Sequence, residues 1–531
     1  MNQSEKAPTK EPRFQLSDSA YAATLSAIFL LLGGFIAWHH EMWRDEIQAW
    51  LIARDSSSPI EVLYHLNRGD GHPGLWHLCL YYLKQLTWSP VIMQPFHLII
   101  AGTSVYVFVR FAPFPRLHKA LFPFGYLVFY EYAIICRNYA IGLLLLFVFC
   151  ALFKEWKTRF PLLGFILLLL AHTNVVALIV TIAIAVGLSW ELISAPNRPE
   201  KRDIRVGLSL ILFGILTSII QLKPSTPERF EWTDLTRGVS DFERFQNAVN
   251  IIPKAFFPIP EITLRFWNTF LLDQISGATG VMFALATLIF LFAVILLLRK
   301  PAALLIYLIG TLGILAFFAS YFGFIRHWGN LFILFLAAIW MSRYCADAAP
   351  RNRAKHGSFR RRLNRLSLAT ERSLTYVLIL LLTVQLIGGV AAASLDYKYP
   401  FSEGKAVARF IKEEKLDDMM IAPEVRSDVS LEILGYLESD QFYYPRPRRF
   451  GSFVSWDPIY ASTAYLPTED VLQEIRRFCN ETSEDILIIS GHVYPEAIRL
   501  KYDLKNLKVF RPSVIRESVQ NFVLYRMTPH S

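Results

Sequence analysis

The sequence predicts an all-α polytopic membrane protein with a small α/β domain at its C-terminal end. Three observations predict it. The chain is 53% hydrophobic and only 18% charged over 531 residues, with a mean hydropathy of +0.34, outside the range of ordinary soluble domains. Apolar runs able to cross a hydrocarbon core of roughly 30 Å recur over the first three quarters of the chain. From Asp396 onward the composition changes, and short apolar strands alternate with amphipathic segments.

The first run, 20–38, follows a polar tail (1–18). It is too long for a signal-peptide core and no small-residue cleavage site follows it, so it reads as an uncleaved transmembrane helix. Ten more spans are expected at 93–110, 119–136, 138–153, 160–172, 174–191, 206–222, 279–298, 301–322, 325–342 and 374–394, giving eleven. The segment 73–88 is also apolar, and charge decides its place. If it lies along or dips into the outer leaflet, every basic loop falls on one side: Arg110, Arg116 and Lys119; Lys154, Lys157 and Arg159; Arg198 to Arg205; Arg299 and Lys300; and the block Arg343 to Arg372. That side is then the cytoplasm. If it crosses, the first of those loops is put outside.

The net charge of +10 is spent on this orientation, and the basic block reads as a topology determinant against anionic lipid, so no nucleic-acid partner is expected. The five cysteines show neither paired nor zinc-type spacing. The expected organisation is a cytoplasmic tail (1–18), a transmembrane part (19–395) with outer loops at 39–92 and 223–278, and an extracytoplasmic α/β domain (396–531). In the last, a helix is expected at 402–415, a strand at 418–422, a helix at 427–437, a helical region at 468–478 and a buried strand at 485–491. It shows no glycine fingerprint, triad or metal spacing, although Asn480-Glu481-Thr482 formally matches a glycosylation acceptor.

Chemistry-bearing residues on the outer side are few. Asp45 and Glu46 stand together in the first outer loop, between Trp43 and Trp50, and His72-Pro73 closes that segment. Adjacent carboxylates at a bilayer surface suit either a hydroxyl-bearing or metal-bound ligand or a plain solvated loop with interfacial tryptophans. Arg137 and Arg326 sit where spans meet the outer face. A guanidinium fork suits phosphate, and the same position suits a snorkelling arginine. His327 adjoins Arg326, and Glu131 is placed to pair with Arg137 or another site arginine. His172 and Asn174 interrupt a long apolar run, as cavity-lining residues or helix–helix hydrogen bonds do.

The acidic pair in WRDE, the His72-Pro73-Gly74 start of the next apolar segment and CRNYAIGLLLL, with Arg137 and Tyr139, occur in an order that resembles the C-type (GT-C) membrane glycosyltransferase superfamily. That superfamily includes protein O-mannosyltransferases and lipid A aminoarabinose transferases, and the resemblance covers about 20–395. The chain departs from the pattern at Gly74, where a second proline is usual, and at Gln94 and His97, where an arginine is common.

The resemblance implies an inverting transfer of a sugar from a polyprenyl-phosphate carrier to an acceptor hydroxyl at the outer face. Asp45 would be the base, and Glu46 would orient the acceptor, support Asp45 or help hold a divalent metal, since some relatives require one. Arg137 and Arg326 would stabilise the departing phosphate, with His72, Tyr139, His172, Asn174 and His327 lining the substrate site. The acceptor class stays open between protein, glycolipid and polysaccharide. A bacterial plasma membrane is the expected location, with membrane lipids as further partners. Two other classes fit the same layout: a transporter or flippase for a lipid-linked glycan, and a non-catalytic subunit of envelope glycan assembly. Against the transporter stands the lack of an internal repeat.

Overall fold

A computed structural model describes residues 16–529 apart from 68–70, 196, 224–239, 276, 322, 348–357, 438, 440–441 and 516–520. The N-terminal tail to residue 15, the first part of the long outer loop (224–239) and the middle of the basic block lie outside the described residues.

Helix α1 (Asp18–His39) opens the chain, its first turn capped by the Ser17 hydroxyl. A polar stretch follows with α2 (Arg44–Asp55), α3 (Pro59–Asn67) and α4 (Leu75–Leu83). At nine residues α4 is about 13 Å long, less than half a hydrocarbon core, and it is not among the helices long enough to cross one. Next come α5 (Met93–Phe111), α6 (Arg116–Leu121), a π-helical segment (Tyr126–Ile134), α7 (Tyr139–Leu152), α8 (Phe160–Ala171), α9 (Val175–Ser194) and α10 (Lys201–Leu222). The bundle ends with α11 (Asp241–Phe256), α12 (Ala278–Leu297), α13 (Pro301–Ser320), α14 (Ile325–Trp328), α15 (Asn330–Ser342) and the 41-residue α16 (Ser358–Lys398).

Among the described residues, eight helices are long and apolar enough to cross a membrane. The other three expected crossings are each shorter than predicted: 119–136 is broken into α6 and the π-helical segment, 138–153 becomes the 14-residue α7, and 160–172 the 12-residue α8. The reason is local. The π-helical segment and α7 are almost wholly buried inside the bundle, and the corners beside them, 135–138 and 172–174, carry non-helical backbone whose polar groups bond to protein. Such breaks are tolerated at membrane depth only where protein or a cavity receives those groups.

Beyond the bundle, α17 (Gly404–Glu413), β1 (Met420–Pro423), α18 (Ser427–Leu434), β2 (Phe442–Tyr444), β3 (Arg449–Gly451), α19 (Pro458–Thr463), α20 (Thr468–Thr482), β4 (Ile486–Ser490), α21 (Glu496–Lys501), β5 (Leu504–Val509) and β6 (Val523–Met527) form the α/β part. Its sheet has the order β1-β4-β6-β5, with β1 parallel to β4 and the other pairs antiparallel. Strand β4 is buried along its whole length, as expected of a central strand. The expected helices and the strands at 418–422 and 485–491 all form; β2, β3, β5 and β6 were not expected.

The α/β part shares its core with the first polar segment. Met42, Ile47, Trp50 and Leu51 pack with Val407, Ile411, Leu434 and Phe442 in one buried cluster. The Gln48 amide pairs with the Val454 backbone in both directions, at 2.9 and 3.0 Å. Trp50, which a plain solvated loop would leave at the membrane interface, is fully buried in this cluster.

Candidate active site

Asp45 stands on the first turn of α2. Its Oδ2 lies 3.2 Å from Arg137 Nη1 and 3.2 Å from Arg326 Nη2, and its Oδ1 lies 3.3 Å from Arg44 Nε. A carboxylate and two guanidiniums from residues 45, 137 and 326 therefore converge on one point. The Asp45 side chain keeps 24% of its exposure, against 9% for Arg137 and 5% for Arg326, so the cluster is a charged floor with its carboxylate nearest to solvent.

Each arginine is held by its surroundings. Arg137 opens the turn before α7, where His97 Nδ1 donates to Ala133 O at 3.1 Å and His97 Nε2 accepts the Arg137 N–H at 3.2 Å. Its Nη2 lies 3.1 Å from His72 Nε2, which brings the His-Pro segment to the site. Arg326, at the start of α14, is fixed through its carbonyl, which accepts from Tyr132 Oη at 3.0 Å and Asn330 Nδ2 at 3.2 Å. Its guanidinium lies over the rings of Trp43, Trp267 and Phe324, with centroids 5.4, 5.4 and 4.6 Å away. Aromatic faces stabilise a desolvated cation, and Arg326 Nε and Nη1 find no hydrogen-bond partner among the described residues.

Tyr139 closes the same space. Its ring is stacked on Tyr132 and edge-on to His327, with centroids 5.7 and 5.9 Å apart, and it lies within the fields of Arg326, Arg137 and Asp45. His327 is turned inward: its Nδ1 accepts the Phe324 N–H at 2.8 Å and caps α14.

Other expected residues stand elsewhere. Glu46 is wholly buried. Its Oε1 accepts the Cys136 N–H at 2.6 Å, and its Oε2 accepts the Trp43 N–H at 3.0 Å and faces His40 Nε2 at 3.3 Å. It ties the N-terminus of α2 to the 135–138 corner and points away from Asp45's partners. The reason is helical rotation, since successive residues differ by about 100° around the axis. The two carboxylates thus point to different partners, and among the described residues no group of three His, Cys, Asp or Glu side chains is arranged to hold a metal ion. His172 bonds to Leu168 O and Thr217 Oγ1 at 2.9 and 3.0 Å, and Asn174 Oδ1 caps α9 through the Ala177 N–H. Their corner supports the site from behind: the Leu75 N–H donates to His172 O, and the corner packs on Gly142, one turn into α7 from Tyr139. Glu131 does not pair with Arg137. Its Oε1 accepts from Tyr126 Oη at 3.1 Å and Trp267 Nε1 at 2.9 Å, which fixes one wall of the Arg326 cage.

Four residues of this architecture were not predicted as a group: His40, Asp396, Trp267 and Phe324. His40 lies between two carboxylates, 2.8 Å from Asp396 Oδ2 and 3.3 Å from Glu46 Oε2. Burial opposes its charge, but Asp396 and Glu46 outweigh burial and hold its pKa up at about 10. The only hint in the sequence is ionisable residues at the ends of two spans. Arg44, inside the WRDE motif, reaches past Asp45 to Asp428 of the α/β part. Burial pushes the Asp428 carboxyl up, and Arg44 and Arg426 overcome this and hold it below the usual carboxylate range.

Fold and site together define a polytopic membrane protein with a carboxylate–diarginine cluster at the seam between its helix bundle and an α/β domain. No protein-family model matches the chain, and no curated protein matches it in sequence. Among solved structures it is similar to ArnT from Cupriavidus metallidurans bound to undecaprenyl phosphate, at 11% identity over 96% of this chain and 98% of that chain with a TM-score of 0.49. The apo state of the same protein gives 12% identity, 95% and 98% coverage, and a TM-score of 0.48.

Proposed function

We propose that the protein is an inverting glycosyltransferase that moves a sugar from a polyprenyl-phosphate carrier to an acceptor hydroxyl at the outer face of the membrane. One observation carries the reading: Asp45 Oδ2 is shared by Arg137 and Arg326, each 3.2 Å away. A bare phosphate site would have no use for the acid, and a bare base would have no use for two buried guanidiniums.

The donor's phosphodiester charge takes over the arginine forks on binding and loosens their hold on Asp45. The acceptor hydroxyl then attacks the anomeric carbon from the side opposite the phosphate. The new C–O bond forms as the sugar–phosphate C–O bond breaks, Asp45 takes the hydroxyl proton, and the electron pair leaves on polyprenyl phosphate. Phosphate is already a competent leaving group, so the site needs a base and charge stabilisation more than an acid. Tyr139 and His72 border the sugar, and Glu46 positions Asp45 through α2.

The test is Asp45→Asn in purified protein, scored by sugar transfer from a polyprenyl-phosphate donor. Loss of about 10²–10⁴-fold is expected, with the thermal unfolding midpoint retained. A folded variant at full activity would exclude Asp45 as the base.

A further inference from the structure

The structure holds a cleft, about 610 Å³ in volume, between the far end of α2 and the α/β domain. Arg54, Trp88, Tyr444, Arg449, Phe450 and Phe453 define it. Asp45 and Arg54 are nine residues apart on one helix, which is roughly 13 Å of rise and half a turn of rotation. The cleft is therefore on the other face of α2 from the carboxylate–diarginine cluster and separate from it.

Arg54 carries the argument. Its side chain is 1% exposed, yet Nη1 has no hydrogen-bond partner among the described residues. The rest of the fork is used: Nε and Nη2 donate to the two Asp55 oxygens at 2.6 and 2.9 Å, and Nη2 also to Ser439 O at 3.0 Å. Nη1 is itself sealed from solvent, with the guanidinium against the Trp88 ring, so Arg54 stands in the cleft wall as a rigidly held cation. Because Asp55 already balances Arg54, and Asp457 lies 2.6 Å from Arg449, both guanidiniums of the cleft wall are neutralised by a carboxylate. That disfavours a polyanion and suits a neutral ligand rich in hydroxyl oxygens.

Aromatic planes supply the complementary surface. Trp88 lies over the Arg54 guanidinium, 5.4 Å from its ring centroid, and is 56% exposed, and Phe450 is 47% exposed. Flat apolar faces beside satisfied charges match the C–H face of a pyranose ring and its hydroxyl rim. The cleft volume is that of a ligand pocket, roughly 300–1,000 Å³.

We infer that this cleft is a binding site for a neutral oligosaccharide, distinct from the transfer site and independent of the reaction proposed above. It would hold a glycan against the α/β domain whether or not the cluster at Asp45 transfers sugar.

The experiment uses the full-length protein in detergent or nanodiscs. Fluorescently labelled neutral trisaccharides of glucose, galactose and mannose are titrated alongside a sulfated trisaccharide and a labelled heptapeptide pool. At least one neutral trisaccharide should bind, Trp88→Ala should weaken it tenfold or more, and Asp45→Asn should leave it unchanged. Arg54→Lys, which keeps the charge and loses the fork, should weaken it similarly; if that variant fails to fold, Trp88→Ala and Phe450→Ala at exposed positions decide alone. The inference is overturned if no neutral trisaccharide binds at millimolar concentration, if Trp88→Ala and Phe450→Ala bind as the native chain does, if Asp45→Asn abolishes binding, or if only the sulfated or peptide probe binds.

Discussion

Asp45 and Glu46 are neighbours in sequence and opposites in environment. Asp45 meets three guanidiniums and keeps contact with solvent, whereas Glu46 is sealed among the Trp43 and Cys136 N–H groups and the His40 ring. Their substitutions should separate accordingly. Glu46→Ala leaves the buried Cys136 N–H without its acceptor and takes from the His40 imidazolium one of its two carboxylates, Asp396 remaining; breaking a buried pair costs about 3–5 kcal/mol, so it should be read as lost thermal stability or lost expression. Arg326→Lys keeps the charge but loses the fork; on the function proposed above, binding of a polyprenyl phosphate, measured by competition, should fall tenfold or more while the unfolding midpoint stays close to native. Unchanged binding would exclude Arg326 from the proposed phosphate contact. His40 gives the pH signature. Its folded pKa of about 10 stands above the reference value of 6.5, so the stability it contributes is complete below pH 6.5 and is lost as pH rises through 10. The difference in unfolding free energy between native and His40→Asn protein should shrink across that window. A difference independent of pH from 6 to 10 would show that His40 is neutral in the fold.

At the scale of elements, the broken helices explain the position of the site. Apolar runs that hydropathy reads as spans end early at 135–138 and 172–174, and the freed backbone is bound by Glu46, His97 and Ser218. One of these breaks delivers Arg137 and the other supports the start of α7. Behind them α8 and α10 cross closely: a Cβ built on Gly164 would stand 2.6 Å from Gly207 O. Small residues permit such approach between helices in a bilayer. Gly164→Val should force the pair apart and lower stability by about 1–3 kcal/mol, measured as thermal unfolding in micelles; a midpoint within a degree of native would show that the crossing gives way freely. The sequence carried the existence of these helices but not their ends, because hydropathy is a sum over a window while a break depends on which distant group receives the exposed N–H or C=O.

At the scale of the whole chain, the α/β part is not an appendage. Its cluster of buried residues includes Met42, Ile47, Trp50 and Leu51 from the first polar segment, and Arg44 links Asp45 to Asp428 across the seam. A chain ending at residue 395 would expose that apolar face. It should fail to accumulate in membranes or should aggregate on extraction, as seen by size-exclusion chromatography; a monodisperse, stable truncated protein would show the bundle to be independent.

The sequence by itself determined that this chain enters a membrane, roughly where it crosses, and that strands and helices alternate after residue 396. Those properties follow from local sums: about twenty apolar side chains per span and short buried runs per strand. It also singled out Asp45, Arg137 and Arg326, because a charge set in an apolar frame stands out without knowledge of its partner. Only the tertiary structure decided that these three meet, that Glu46 turns inward, that Trp43, Trp267 and Phe324 cage one arginine, and that His40 bridges to Asp396 across 356 positions. Rotation about a helix axis and contact between distant segments are set by packing, and no window along the chain contains them.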